Sequence, residues 1–324
     1  MRNAVALGLL LVFAGCAVTE EQESPATAAA AAPEQERPAV RQGPRRSPDD
    51  ISYMRARGDE PGDGLLPHAL FELIEPHWFK VKRDIRKATG FDFGLSYTAL
   101  FQQATDSVVP PDYAGSGDFD LFGQWHLVGQ DSGNDGLLGF ALEDRHKYGA
   151  IAPSELGKNI GSLWPTTRAF DTHKFGLNQI YWDQHLADDL VKFRVGAYDH
   201  NTIYEIYTFR SEVFYFQNYM FSGNVSFKPP GGGFGGMVSW RTSDATYVMA
   251  GIADANGTRI SPSLDSFFNQ REYFYFAELG YSPRIAEYEV FYVHATLWHV
   301  DARESTGTGP GSGIALTLQH SNGT

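Results

Sequence analysis

From Gly90 onward apolar and polar residues alternate along the chain, and this constrains its fold more than any other feature. In Phe91–Phe101, the residues Phe91, Phe93, Leu95, Tyr97, Ala99 and Phe101 share one parity, and Asp92, Gly94, Ser96 and Thr98 share the other. Successive side chains of an extended chain point to opposite faces, so this segment predicts a strand with one apolar and one polar face. The same texture, loosest in the first segment, recurs over 118–130, 137–147, 174–186, 190–199, 235–243, 246–254, 271–282, 287–299 and 311–320, between Gly-, Asp-, Asn- and Pro-containing turns. About ten strands are therefore expected. Asn134-Asp135-Gly136 predicts a tight hairpin link between two of them.

Alternation alone does not say what the apolar face touches. In a soluble sandwich or barrel it looks inward; in an outer-membrane barrel it looks out at lipid and the polar face lines a lumen. No apolar run after residue 16 approaches the roughly 18–20 residues of a spanning helix, so a membrane-spanning form must be a closed barrel. Three features favour lipid. Aromatic residues make up 14% of the chain and cluster at strand ends, as in Tyr273-Phe274-Tyr275-Phe276 and Phe214-Tyr215-Phe216, like the interface girdles of such barrels. Short links such as Ala187-Asp188-Asp189 alternate with long loops over 148–173 and 200–234. The third feature is the N-terminus, which carries an export signal.

Met1–Cys16 has Arg2 in a basic n-region and a short apolar stretch from Ala4 to Phe13, the pattern of a signal peptide. It ends in Phe13-Ala14-Gly15-Cys16, which resembles a bacterial lipobox and implies cleavage before Cys16 and lipidation of its thiol. Residues 17–64, rich in Ala, Glu and Pro, are expected to be a disordered linker, because they cannot bury enough apolar surface to offset chain entropy. Residues 65–89 have helical spacing, interrupted at Pro76, and predict one or two short helices forming a plug or lid. The strand-bearing region is 90–324.

Other classes drop out. A net charge of −13 with no basic stripe argues against a nucleic-acid partner. The single Cys excludes a disulfide framework and a Cys-based zinc site, and the ten His show no helical ligand spacing, so no metal is expected. Gly231-Gly232-Gly233 has no following Lys-Ser/Thr and is no phosphate cradle. Glu143 and Asp144 could serve glycoside hydrolysis only at a carboxylate separation of about 5–9.5 Å, which a sequence does not show.

One stretch is more specific. Gln179-Ile180-Tyr181-Trp182-Asp183-Gln184, a turn, then Arg194-Val195-Gly196-Ala197-Tyr198-Asp199 resembles the Q-x-Y-x-[ED]-Q and R-x-G-x-x-D strands of the carbohydrate-selective porin (OprB) family. Phe216-Gln217-Asn218 with Phe221-Ser222-Gly223-Asn224, then Ala250–Gly257 and Glu278-Leu279-Gly280-Tyr281, are similar to later motifs of that family, in order, over about 90–320. The resemblance implies an all-β fold: an antiparallel transmembrane outer-membrane β-barrel of porin type. It implies passive diffusion of small sugars, outer-membrane lipid around the wall, a trimer or a monomer, no cofactor and no enzyme chemistry. Such barrels close with about 16–18 strands, so about ten imply a piece of a full barrel or a smaller one.

Strand parity then nominates lumen residues. A sugar needs donors and acceptors for its hydroxyls and aromatic rings for its C–H faces. The candidates are Glu143, Arg145, Tyr181, Asp183, Lys192, Arg194, Asp199 at the rim, Trp298 with His294 and Tyr292, and Arg210, Glu212, Tyr215 and Gln217 on a loop expected to fold inward. The alternative for each charge is an ordinary wetted lumen group paired with its neighbours, and one β-bulge would shift the parity. The alternative reading for the whole chain is a lipid-tethered soluble β-protein, a glycan-binding module or hydrolase.

Overall fold

The computed structural model describes residues 7–12, 50–58, 68–130, 132–204, 206, 211–222, 229–260, 263–283 and 290–321. Its framework is one antiparallel meander: β1 (Leu7–Val12), β2 (Phe91–Gln103), β3 (Tyr113–Val128), β4 (Gly136–Lys147), β5 (His173–Leu186), β6 (Val191–Tyr198), β7 (Gly233–Arg241), β8 (Thr246–Asp254), β9 (Tyr273–Tyr281), β10 (Val290–Val300) and β11 (Gly311–Ser321). Each strand pairs with the next in sequence order, and among the described residues no ladder joins β11 back to the first strands. All ten strands read from alternation are present; β1, from the apolar stretch of the leader, adds an eleventh along the edge of β2.

The alternation resolves into two surfaces of opposite character. Leu95, Val195, Val238, Trp240, Leu279, Leu297, Ile314, Leu316 and Leu318 are exposed on one side. Asp92, Gln102, Asp118, Gln124, Glu143, Arg145, Asp183, Arg194, Glu278 and Thr296 are buried on the other. A water-soluble protein would reverse this sorting. The polar side is concave: Tyr204, beyond β6, packs on Phe274 and Phe276 of β9, with ring centroids 5.6 and 4.3 Å away. These two Phe are therefore inner-wall residues, whereas the run Tyr273–Phe276 was expected to be girdle throughout; Tyr275, of opposite parity, does face out.

Close strand approach depends on small residues set against rings. Gly94 lies across from Phe122, Gly139 from Tyr181, and Gly280 from Tyr247. A Cβ on any of these glycines would run into the facing ring. Such pairs let an aromatic lie flat over the neighbouring backbone and pin the register.

Several local expectations are revised. The β3–β4 link spans 129–135, so Gly136 opens β4 and Asn134-Asp135-Gly136 is not a two-residue hairpin turn. The chain must cover a longer gap there because β3 carries an irregularity between His126 and Val128. Residues 187–190 do form a tight link, with Ala187, Asp188 and Asp189 all left-handed (φ 54°, 55° and 64°). It is braced on the neighbouring turn by Asp189 N–H donating to Gly133 O (2.8 Å). The helical segment is one helix, α2 (His68–Thr89), running through Pro76. Its C-terminal half is held by Trp78 edge-on to Phe93 (5.7 Å) and by Trp125 Nε1 donating to Thr89 O (2.9 Å). A shorter helix, α1 (Ile51–Gly58), lies inside the stretch whose composition predicted disorder. Contacts with the strands order it: Ile51 is 2% exposed and joins the inner core.

Candidate functional site

The short links 129–135, 187–190 and 242–245 lie at one end of the strands, and the long loops 148–172, 199–232 and 255–272 at the other. Between them the concave wall carries its charged groups in two clusters.

The first lies toward the short-link end and centres on Arg194 of β6, 1% exposed. Its Nε and Nη2 donate to Asp183 Oδ1 and Oδ2 at 2.6 and 2.7 Å, a bidentate pair across the β5–β6 ladder. Lys192 Nζ reaches the same carboxylate at 3.0 Å. The Arg194 guanidinium lies over the Tyr181 ring, 3.8 Å from its centroid, with Tyr198 5.5 Å away. Helix α1 docks here. Asp50 Oδ2, just before α1, accepts from Arg194 Nη1 (3.3 Å), and Gln124 Nε2 donates to Ser52 Oγ (2.8 Å). Arg55 pairs with Asp92 at the base of β2. The helix thus lies on the lumen wall itself, through three polar links and the buried Ile51.

The second cluster lies toward the long-loop end. Arg145 of β4 donates from Nε to Asp118 Oδ2 (2.9 Å) and from Nη1 to Asp171 Oδ1 (3.0 Å), and pairs with Glu143. Arg259, from the loop after β8, crosses to Glu143 Oε1 (3.3 Å), so that loop folds inward to the β4 wall. His173 Nε2 stands 3.6 Å from Glu143 Oε2, and Asn178 Nδ2 donates to the same oxygen. A smaller network lies on the far wall, where Tyr247 Oη and Thr296 Oγ1 donate to Glu278 at 2.7 and 2.6 Å.

The parity-based candidates divide accordingly. Tyr181, Asp183, Lys192 and Arg194 come together in one cluster, and Glu143 and Arg145 in the other. Trp298 is half-buried on the inner side of β10, stacked with Phe274 at 6.4 Å, on the parity of Tyr292 and His294. Asp199 sits at the rim and accepts from Asn201 N–H (2.9 Å), capping a short 3₁₀ turn. Glu212 joins two long loops, accepting from Thr167 Oγ1 (2.6 Å) and Ala169 N–H (2.9 Å), and Gln217 accepts from Gln102 Nε2 (3.2 Å). Arg210 and Cys16 lie outside the described residues.

The residues that sequence reasoning missed are the partners. Asp118 was legible from strand parity. Asp50, Arg55, Asp171 and Arg259 come from segments with no periodicity to orient them. Asn178 faces inward because β5 carries an extra residue: Ala141 pairs with Gln179 but Leu142 with Leu177, leaving Asn178 as the bulged position.

At the rim, His200 is fully buried beside Tyr198, ring centroids 4.4 Å apart. Burial pushes its imidazole down to about 4, so the neutral form persists through the ordinary range of His titration.

Comparison with known proteins agrees with this architecture. The sequence profile of the carbohydrate-selective porin OprB family matches residues 138–321. Among solved structures, the high-pH structure of Pseudomonas putida OprB is similar, with a TM-score of 0.54 at 14% identity, covering 72% of this chain and 58% of that one. The chain therefore spans less than two thirds of the length of that structure. No curated protein gives a match. With more than half of its residues within the family's profile, an apolar outer face and a charged inner one, the chain belongs to the carbohydrate-selective porin (OprB) family, β-barrels of the bacterial outer membrane.

Proposed function

We propose that the chain forms the wall of a passive pore through which sugars and other small solutes diffuse down their gradients. One observation carries this reading: the strand carboxylates and guanidinium groups of both clusters face the concave side, while the exposed apolar side chains face away. A wall so lined stays wet and presents fixed donors and acceptors to sugar hydroxyls. Along the route a sugar would meet Glu143 and Arg145 first, then Tyr181, Asp183, Lys192 and Arg194, with Trp298 offering a ring face from the far wall. Asp199, Arg210 and Glu212 would act at the mouth.

Most of these charges already satisfy one another, so selectivity would come from the groups that keep partial access, Lys192 and Arg259 foremost, at 18% and 35% side-chain exposure. Helix α1, seated on the same wall, favours a second state of this pore in which the N-terminal segment narrows it. Cys16 would carry the lipid that holds the linker following it at the membrane. Cleavage before it would remove β1 and uncover the edge of β2.

The test is solute entry. Proteoliposomes containing the folded chain should swell in isotonic glucose and much less in a trisaccharide, and planar bilayers should show discrete conductance steps. Folded, membrane-inserted protein that gives neither result refutes the pore. Release of the Cys16→Ser chain from the membrane without detergent would instead support a tethered soluble module.

A further inference from the structure

The outer cluster holds more negative charge than its cations balance. Asp118 and Asp120 stand two residues apart on the inward parity of β3, and Glu143 faces Asp120 across the ladder to β4. One carboxylate oxygen from each lies within 4.8 Å of the other two. Like charges directly opposite one another on neighbouring strands are destabilising. Arg145 and Arg259 meet Asp118, Glu143 and Asp171. Among the described residues, Asp120 meets a hydroxyl, Ser96 Oγ at 3.2 Å, and no cation. Four carboxylates against two guanidinium groups leave a formal charge of −2 before His173 is counted.

A separate observation points to what fills the deficit. Asn178 is 6% exposed, and its amide donates to Glu143 while its own Oδ1 is buried with no partner among the described residues. Among the described residues, Asp118 Oδ1, on the carboxylate whose other oxygen takes the Arg145 bond, is likewise buried and unpartnered, and so is Ser116 Oγ one step along the same face. Buried oxygens without donors are costly. Here they belong to a cluster that is short of positive charge or to residues beside it: Asp118 is one of its carboxylates, Ser116 lies two residues before Asp118 on β3, and Asn178 is hydrogen-bonded to Glu143.

We propose that this pocket binds one hard divalent cation, Ca²⁺, through Asp118 Oδ1, the Asp120 and Glu143 carboxylates and the Asn178 amide oxygen, with water completing the shell. The donor set is all oxygen, as hard cations require. Ca–O bonds of about 2.3–2.6 Å place opposite ligands about 4.6–5.2 Å apart, whereas a Mg²⁺ octahedron contracts them to about 4.2 Å. The ion would tie β3, β4 and the β5 bulge together and cancel the excess negative charge in the outer half of the lumen.

The test is calorimetric titration of the folded full chain in detergent, stripped with EDTA and titrated with CaCl₂. One site per chain is expected, with a Kd of about 10⁻⁴–10⁻³ M, the range of rigid sites facing a Ca²⁺-rich exterior. Mg²⁺ should bind at least tenfold more weakly. Asp120→Asn and Asn178→Ala should each weaken Ca²⁺ binding tenfold or more, with folding checked by heat-modifiable gel migration. If Asp120→Asn fails to fold, Asn178→Ala, which removes a neutral ligand, decides alone. Absence of saturable binding up to about 10 mM, or unchanged affinity in a folded variant, overturns the proposal. Binding is read without ion current, so its failure is separable from failure of the pore.

Discussion

Leu297→Arg separates lipid from water as the medium outside the wall. Leu297 is 53% exposed and lies two residues beyond Ala295, the middle of β10 (Val290–Val300). At about 3.4 Å per residue and a tilt of about 40°, it sits about 5 Å from the mid-depth of that strand. The apolar band of such barrels is about 25 Å tall, so this position is well inside it, and an Arg there should cost about 2–3 kcal/mol. In water, an exposed Leu→Arg change stays within about 0.5 kcal/mol. The assay is urea-titrated folding into phosphatidylcholine vesicles, followed by Trp fluorescence. A midpoint shift equivalent to about 2 kcal/mol supports lipid contact. A shift below about 0.5 kcal/mol, with the variant folded, refutes the assignment of the outer face.

The inner wall yields three further tests. Asp183→Asn should destabilise the folded chain by about 3–5 kcal/mol, because it strands the buried Arg194 charge; adding Arg194→Met should recover most of the loss in the same assay. Asp50→Ala combined with Ile51→Ala removes the α1 contacts with Arg194 and the inner core, and should raise single-channel conductance; unchanged conductance means the helix does not narrow the pore. The third concerns pH. His200 has a folded pKa of about 4 against an ordinary value of about 6.5, so below pH 6.5 the unfolded chain binds the proton first. Stability is complete above that point and falls as the pH drops toward 4, by about 2–3 kcal/mol between pH 8 and pH 4.5. His200→Gln should flatten this dependence, as read from unfolding midpoints at the two pH values.

Strand parity was legible because a pleated chain exposes alternate side chains to two media, and one medium here is apolar throughout. That property is local, so all ten strands after Gly90 and the inward placement of Glu143, Arg145, Asp183, Lys192 and Arg194 followed from residue order alone. The seven-residue link before Gly136 was misread because a turn dipeptide does not say where the ladder ends. Helix α1 was missed because its order comes from Arg194 and Gln124, far away in sequence, and not from its own composition.

What tertiary structure alone decided is which charges meet. Arg259 reaches Glu143 across 116 positions of chain, Asp50 reaches Arg194 across 144, and Asn178 turns inward through a bulge that no periodicity announces. These encounters depend on how the sheet curls and where its ladder slips. The curl brings elements far apart in sequence within reach, and the slip arises in the pairing of β4 with β5, so the two faces could be read from the sequence while the partners across the lumen could not.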